Sequence, residues 1–147
     1  MSDAAQLSFH RRPAPVLADH RPLYKMAQVV LVLSLASRGG KSGLPRLHLF
    51  NWCLKNAARI RALSQAVTLR RLTMVTWGFD PALAVALRFL FAEGLLIDEG
   101  TKVSLSADGV AFAAALMEDK ALLAPEKRDL ALIGKVVTEA MVDAIAK

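Results

Sequence analysis

From Met26 to Ala36 the chain is apolar except at Gln28 and Ser34. Wound into a helix, Val29-Val30-Leu31-Val32-Leu33 has no polar side, and such a helix must be surrounded by protein. The same five residues also suit a buried strand. What precedes them decides for helix. Pro22 fits a first turn, Lys25-Met26-Ala27-Gln28 are good helix formers, and Gly39-Gly40 supplies a stop near Arg38. The run is too short for a bilayer span, which takes roughly 20 apolar residues. A domain built around this helix is expected to be mainly α. With 147 residues, 54% of them hydrophobic, the chain suffices for one core.

Residues 1–20 are expected to form an extended N-terminal arm, because His10-Arg11-Arg12-Pro13-Ala14-Pro15 resists helix, and they lack the apolar stretch of a secretory signal. Ser42 is the expected cap of a second helix starting at Leu44-Pro45, with Leu47, Phe50 and Leu54 inward. His48, Trp52, Lys55 and Arg59 make another stripe if that helix continues. Residues 57–72 read as more helix, rich in arginine, and 73–79 as β-rich. Asp80-Pro81 predicts the cap and first turn of a helix ending at Gly94, with Leu83, Leu87, Leu90 and Phe91 inward. Leu95-Leu96-Ile97, the turn 98–101 and the alternating Lys102-Val103-Ser104-Leu105 predict a hairpin. A helix over Ala107–Glu118 follows. Pro125 opens a last helix, with Leu130, Ile133, Val137, Met141 and Ala144 on one face.

The order helix, Glu93-Gly94-Leu95-Leu96, hairpin, Leu105-Ser106-Ala107-Asp108-Gly109, helix resembles winged-helix proteins, where a Gly-Leu pair opens the wing and Leu-Ser-x-x-Gly closes it. The expected fold is mainly α with a small β-hairpin. It comprises a winged-helix-like single domain over 21–118, the arm 1–20 before it, and a C-terminal linker and helix over 119–147. A sequence-reading winged helix needs donors on the helix before its wing. Here the outward candidates are Ala82, Val85, Arg88, Phe89 and Ala92, and the wing tip is Asp98-Glu99, which repels phosphate. That surface suits protein contact better than base reading.

The net charge of +6 conceals an asymmetry. Residues 1–72 carry twelve Lys/Arg against two acids, a net +10, and residues 73–147 carry seven against eleven, a net −4. A two-faced molecule results if the halves occupy different surfaces; solvated surface charge is the competing reading. One cysteine, Cys53, excludes an internal disulfide framework and a thiolate zinc site, and fits a reducing, cytoplasmic setting. Arg38-Gly39-Gly40-Lys41-Ser42 imitates the end of a phosphate loop, but Leu35 stands where the motif needs its first glycine. His10, His20 and His48 lack metal spacing, and no nucleophile has an adjacent base. No catalytic residue, metal or cofactor is expected.

Phe9-His10-Arg11-Arg12-Pro13, Asp19-His20-Arg21-Pro22-Leu23-Tyr24-Lys25, Ser42-Gly43-Leu44-Pro45-Arg46-Leu47-His48-Leu49-Phe50-Asn51-Trp52 and Phe79-Asp80-Pro81-Ala82-Leu83 resemble the middle components of bacterial ABC-three-component systems of the Lamassu kind. Within them, Arg21-x-x-x-Lys25 and Leu47-x-x-x-Asn51-Trp52 are the most distinctive motifs. The resemblance spans most of positions 9–120. It implies an accessory adaptor subunit without catalysis, bridging an SMC-like coiled-coil ATPase and an effector, often a nuclease, in anti-phage or anti-plasmid defence. DNA would then be met through the complex, without sequence specificity. A winged-helix transcription regulator is the alternative. Arg46, Lys55, Arg59, Arg61, Arg70 and Arg71 are the candidate basic contact surface, with solvated charge as the rival reading. Trp52, Trp77 and Arg88 are candidate partner contacts, core packing being the rival for the tryptophans. Arg21, Lys25, Leu47, Asn51 and Trp52 are named through the family motifs, against a plain helix-packing role.

Overall fold

A computed structural model describes residues 21–72 and 80–146; the expected arm at 1–20, the β-rich stretch 73–79 and Trp77 lie outside the described residues. The central helix forms as α1, Pro22–Leu35, and Lys25 through Leu33 are buried without interruption. It packs against α4 (Pro81–Ala92), α5 (Ala107–Glu118), α6 (Ala124–Ile133) and α2 (Leu44–Leu54). Fully burying each Val or Leu of this segment contributes roughly 1.5–3 kcal/mol, so α1 is a large contributor to the core.

The described residues are mainly helical, with one small antiparallel sheet. The expected hairpin forms from β2, Leu96–Asp98, and β3, Lys102–Leu105. A third strand, β1, Lys41–Gly43, joins the other edge of β3, giving the order β1-β3-β2 with Ser42 opposite Val103 and Ile97 opposite Ser104. Lys-Ser-Gly is too short and too polar to announce a strand. Its chain direction is set by the short 3-10 turn Arg38–Gly40, where Gly39 and Gly40 take positive φ. Ser42 therefore does not cap α2 as expected. It is buried in β1, its hydroxyl bonds the carbonyl of Gly43, and Gly43 itself precedes the helix.

Other boundaries also differ from expectation. The stripe His48–Trp52–Lys55–Arg59 is divided, because α2 ends at Leu54 and α3, Ala57–Leu69, starts afresh with the Asn56 side chain accepting from the Ala58 amide. On α4 the buried positions are Leu83, Ala86, Leu87 and Leu90, and Phe91 is exposed. The last helix is two helices. Gly134 (φ 66°, ψ −152°) ends α6, and α7 runs Glu139–Ala146. α6 lies against α1 and α3, and α7 against α2, with Leu130, Ile133, Val137 and Val142 in the common core.

Candidate functional site

The outer side of α4 faces an apolar groove of about 510 Å³, lined by Pro22, Leu23 and Met26 of α1, Phe89 and Glu93 of α4, then Leu95 and Phe112. Leu23 is 68% and Phe89 46% exposed, and Val110 on α5 is also exposed. Contiguous exposed apolar surface of this kind marks contact sites, because isolated side chains leave no groove. The sequence placed Phe89 on this face; Leu23, Met26 and Phe112 join it only through the packing of α1 and α5 on α4. Arg88 is exposed on α4, as expected.

Behind α4 runs a polar chain that joins three helices. Lys25 Nζ donates to Asn51 Oδ1 at 2.7 Å, Asn51 Nδ2 donates to Asp80 Oδ2 at 2.9 Å, and Lys55 Nζ lies 2.9 Å from the same oxygen. Asp80 Oδ1 accepts from the Ala82 amide at 3.0 Å, which caps α4. Burial alone would raise the Asp80 pKa, but hydrogen bonds from Asn51, Lys55 and Ala82, with the Lys55 charge, outweigh it and hold the carboxyl at about 2. Lys25 is 1% exposed, and Asn51 and Leu47 are buried. Lys25 and Asn51 thus meet in the interior, Leu47 is buried on the same helix as Asn51, and Arg21 is exposed. A second polar set ties α1 to α6: Tyr24 donates to Glu126 Oε2, as does Gln28 Nε2 at 3.2 Å.

The basic contact surface expected from sequence divides. Arg61, Arg70 and Arg71 are exposed on and just after α3. Arg59 is half-buried; its guanidinium lies 4.0 Å over the Trp52 ring and Nη1 donates to the Trp52 carbonyl, so both are spent on joining α3 to α2. Lys55 is engaged with Asp80. Arg46 is a correction: at 3% exposure it is an interior residue and no contact surface. Its Nε donates to the Val137 carbonyl at 2.7 Å, Nη1 to Ser37 Oγ at 2.7 Å and Ser42 Oγ at 3.5 Å, and Nη2 to the Ala36 carbonyl, with Phe50 packed against the guanidinium plane. The planar fork satisfies carbonyls that no local partner reaches. Burial, first of all, lowers its pKa, opposed by Glu139 and reinforced by Arg38.

Arg46 also closes one side of a second cleft, about 260 Å³, whose other walls are Arg38, Lys41, Lys102, Lys135 and the segment Val137–Glu139. Sequence reasoning missed it because its members come from distant positions. The charge halves are interleaved here: Lys102 and Lys135 belong to the acidic half, and Glu99 of that half pairs with Lys41 at 3.1 Å. With Ser104 Oγ donating to Glu99 at 2.7 Å and Lys41 beside it, the Glu99 pKa lies below the usual range. Glu99 thus stays ionised, and the Lys41 ammonium offsets one of the two negative charges at the hairpin tip Asp98-Glu99.

Cys53 is buried, and burial pushes its thiol up to about 12 against the opposing charge of Arg59. Among the described residues no group of His, Cys, Asp or Glu could hold a metal ion, and no helix is long and apolar enough to cross a membrane. The chain matches no protein-family model, no curated protein and no solved structure.

Proposed function

We propose that this chain is a non-enzymatic adaptor subunit of winged-helix type that bridges an SMC-like coiled-coil ATPase and an effector protein, often a nuclease, in cytoplasmic bacterial defence of the ABC-three-component kind. Support for the winged-helix reading comes from the element order α1-β1-α2-α3-α4-β2-β3 and the sheet order β1-β3-β2, in which the strand after the first helix flanks the hairpin that follows α4.

The observation that carries the adaptor reading is the apolar groove along α4, where a base-reading protein would present donors. Its occupant is an amphipathic helix of the ATPase coiled coil, apolar edge inward, with Glu93 on the rim to accept from a basic side chain. Arg88 is the single cation that α4 offers, so the transcription-regulator reading has the weaker support. The test is co-purification of the full chain with a neighbouring coiled-coil ATPase. Leu23→Ser combined with Phe89→Ser should abolish the complex while the helical circular dichroism stays intact. A complex that survives both substitutions, or tight binding of the isolated chain to one operator in excess competitor DNA, overturns the proposal.

A further inference from the structure

The cleft beside β1 plays no part in the docking reading, and its chemistry is different. Arg46 gives it a fixed charge: the guanidinium is buried, and four of its five N–H donors bond neutral carbonyls and hydroxyls. No carboxylate among the described residues bonds it. Glu139 is the one acid among the lining residues, and its Oε2 is already engaged by the Gly43 amide at 2.9 Å. Around the opening stand Arg38, Lys41, Lys102 and Lys135, all exposed. Lys41 is shared with Glu99. Arg38, Lys102 and Lys135 form no ion pair among the described residues, so with Arg46 four cations line the cleft against Glu139, with Glu99 acting on Lys102 from outside the lining.

Like charges gathered around a concave space repel one another and are relieved by an anion. A carboxylate or chloride would neutralise only one of the excess charges. A phosphate group carries up to two negative charges and several acceptor oxygens, matching a rigid guanidinium and mobile ammonium groups at once. The 260 Å³ of the cleft accommodates such a group with part of whatever bears it. We propose that the cleft between β1, the start of β3 and the α6–α7 connection is a phosphate-binding site, with Arg38, Lys102 and Lys135 closing on the ligand and Arg46 holding the floor positive.

The probes are inorganic pyrophosphate and a short single-stranded oligonucleotide with and without a 5′ phosphate, each titrated into the full chain at fixed ionic strength and followed by amide chemical shifts. The site predicts saturable shifts at Ser42, Gly43, Lys102 and Thr138. Lys102→Glu with Lys135→Glu should weaken binding by about tenfold or more, while Arg61→Glu with Arg71→Glu on α3 leaves it within about twofold. Lys102→Ala with Lys135→Ala gives the smaller loss and stands in if the reversal disturbs the circular dichroism. Saturation by pyrophosphate identifies a free phosphate ligand; saturation only by the 5′-phosphorylated strand identifies a nucleic-acid end. Saturation by neither, equal binding of the strand with and without its 5′ phosphate when pyrophosphate does not saturate, or equal losses from the α3 pair overturns the site. None of these outcomes bears on the α4 groove, whose test uses other residues.

Discussion

Substituting Gly109 by alanine sets two physical effects against each other. Gly109 lies in the first turn of α5, where alanine is favoured over glycine by about 1 kcal/mol on helix propensity alone. An added Cβ, however, would stand 2.2 Å from the Leu95 carbonyl oxygen and 3.1 Å from Leu105 Cδ2. Reaching an ordinary contact of 3.4 Å means opening the backbone by roughly 1.2 Å. The chain resists there, because Ser106 N donates to the Leu95 carbonyl at 3.0 Å, Ser106 Oγ donates to the Gly94 carbonyl at 2.7 Å, and Gly109 N donates to Ser106 Oγ at 3.0 Å. Overpacking of this kind costs about 1–3 kcal/mol and each broken bond about 1 kcal/mol. After the propensity gain the net loss is about 1–3 kcal/mol, a fall in Tm of roughly 3–10 °C for a chain of this size. Thermal and urea denaturation of the full chain measures it. Gly94→Ala is the control: its φ of +75° carries strain of about 1 kcal/mol, with nothing within 4 Å to clash. A Gly109→Ala chain as stable as the parent, or more stable, would show that propensity outweighs the contact and that the β2–β3 hairpin is not locked to α5 in this way.

Asp80 has its folded-state pKa depressed from 3.8 to about 2, so its contribution is present above about pH 4 and is lost as pH falls through 2. Urea midpoints measured from pH 5 to pH 2 should fall by the equivalent of about 2 kcal/mol, and Asp80→Asn should remove that part of the slope. Arg46→Lys should destabilise by about 2–4 kcal/mol, because an ammonium cannot serve the Val137 and Ala36 carbonyls and Ser37 together; equal stability by urea unfolding would contradict the buried fork. Cys53, buried with its thiol at about 12, should resist aromatic disulfide reagents in the native chain and react at once in guanidinium; rapid native labelling would place it on the surface. Lys127→Met should cost about 1–3 kcal/mol, since Lys127 Nζ donates to the Leu116 and Asp119 carbonyls at the end of α5; an unchanged urea midpoint would show that this cap is dispensable.

The parts of the fold visible in the sequence are those fixed by near neighbours. Asp80-Pro81 starts α4 because cap, proline and the Ala82 amide lie within three residues of one another, and α5 spans the expected Ala107–Glu118. The hairpin turn 98–101 is likewise local, Gly100 donating to Asp98. The apolar run 29–33 required burial, whatever surrounded it. What escaped notice depends on partners far along the chain. Arg46 looked like a surface cation because its acceptor, Val137, stands 91 positions away. Lys25 and Asn51 were visible only as motif letters, and their contact spans 26 positions. β1 carries no pattern of its own and exists because β3 offers an edge.

The same long-range partners decide what the charge asymmetry becomes. Lys55 is absorbed by Asp80, Lys41 by Glu99, Arg59 by the Trp52 ring and carbonyl, and Arg46 by the interior. A nominal +10 over residues 1–72 therefore does not form one basic face. Among the described residues, Arg61, Arg70 and Arg71 stand exposed around α3, and Arg38 of the same half joins Lys102 and Lys135 of the acidic half at the cleft. The first is a set of side chains without a cavity, where solvation competes well with any ligand. The second surrounds a concavity floored by a guanidinium that cannot move away, so its repulsion is relieved only by something that enters. Charge count alone ranks the α3 arginines first; geometry ranks the cleft first, and charge reversal at each region separates the two.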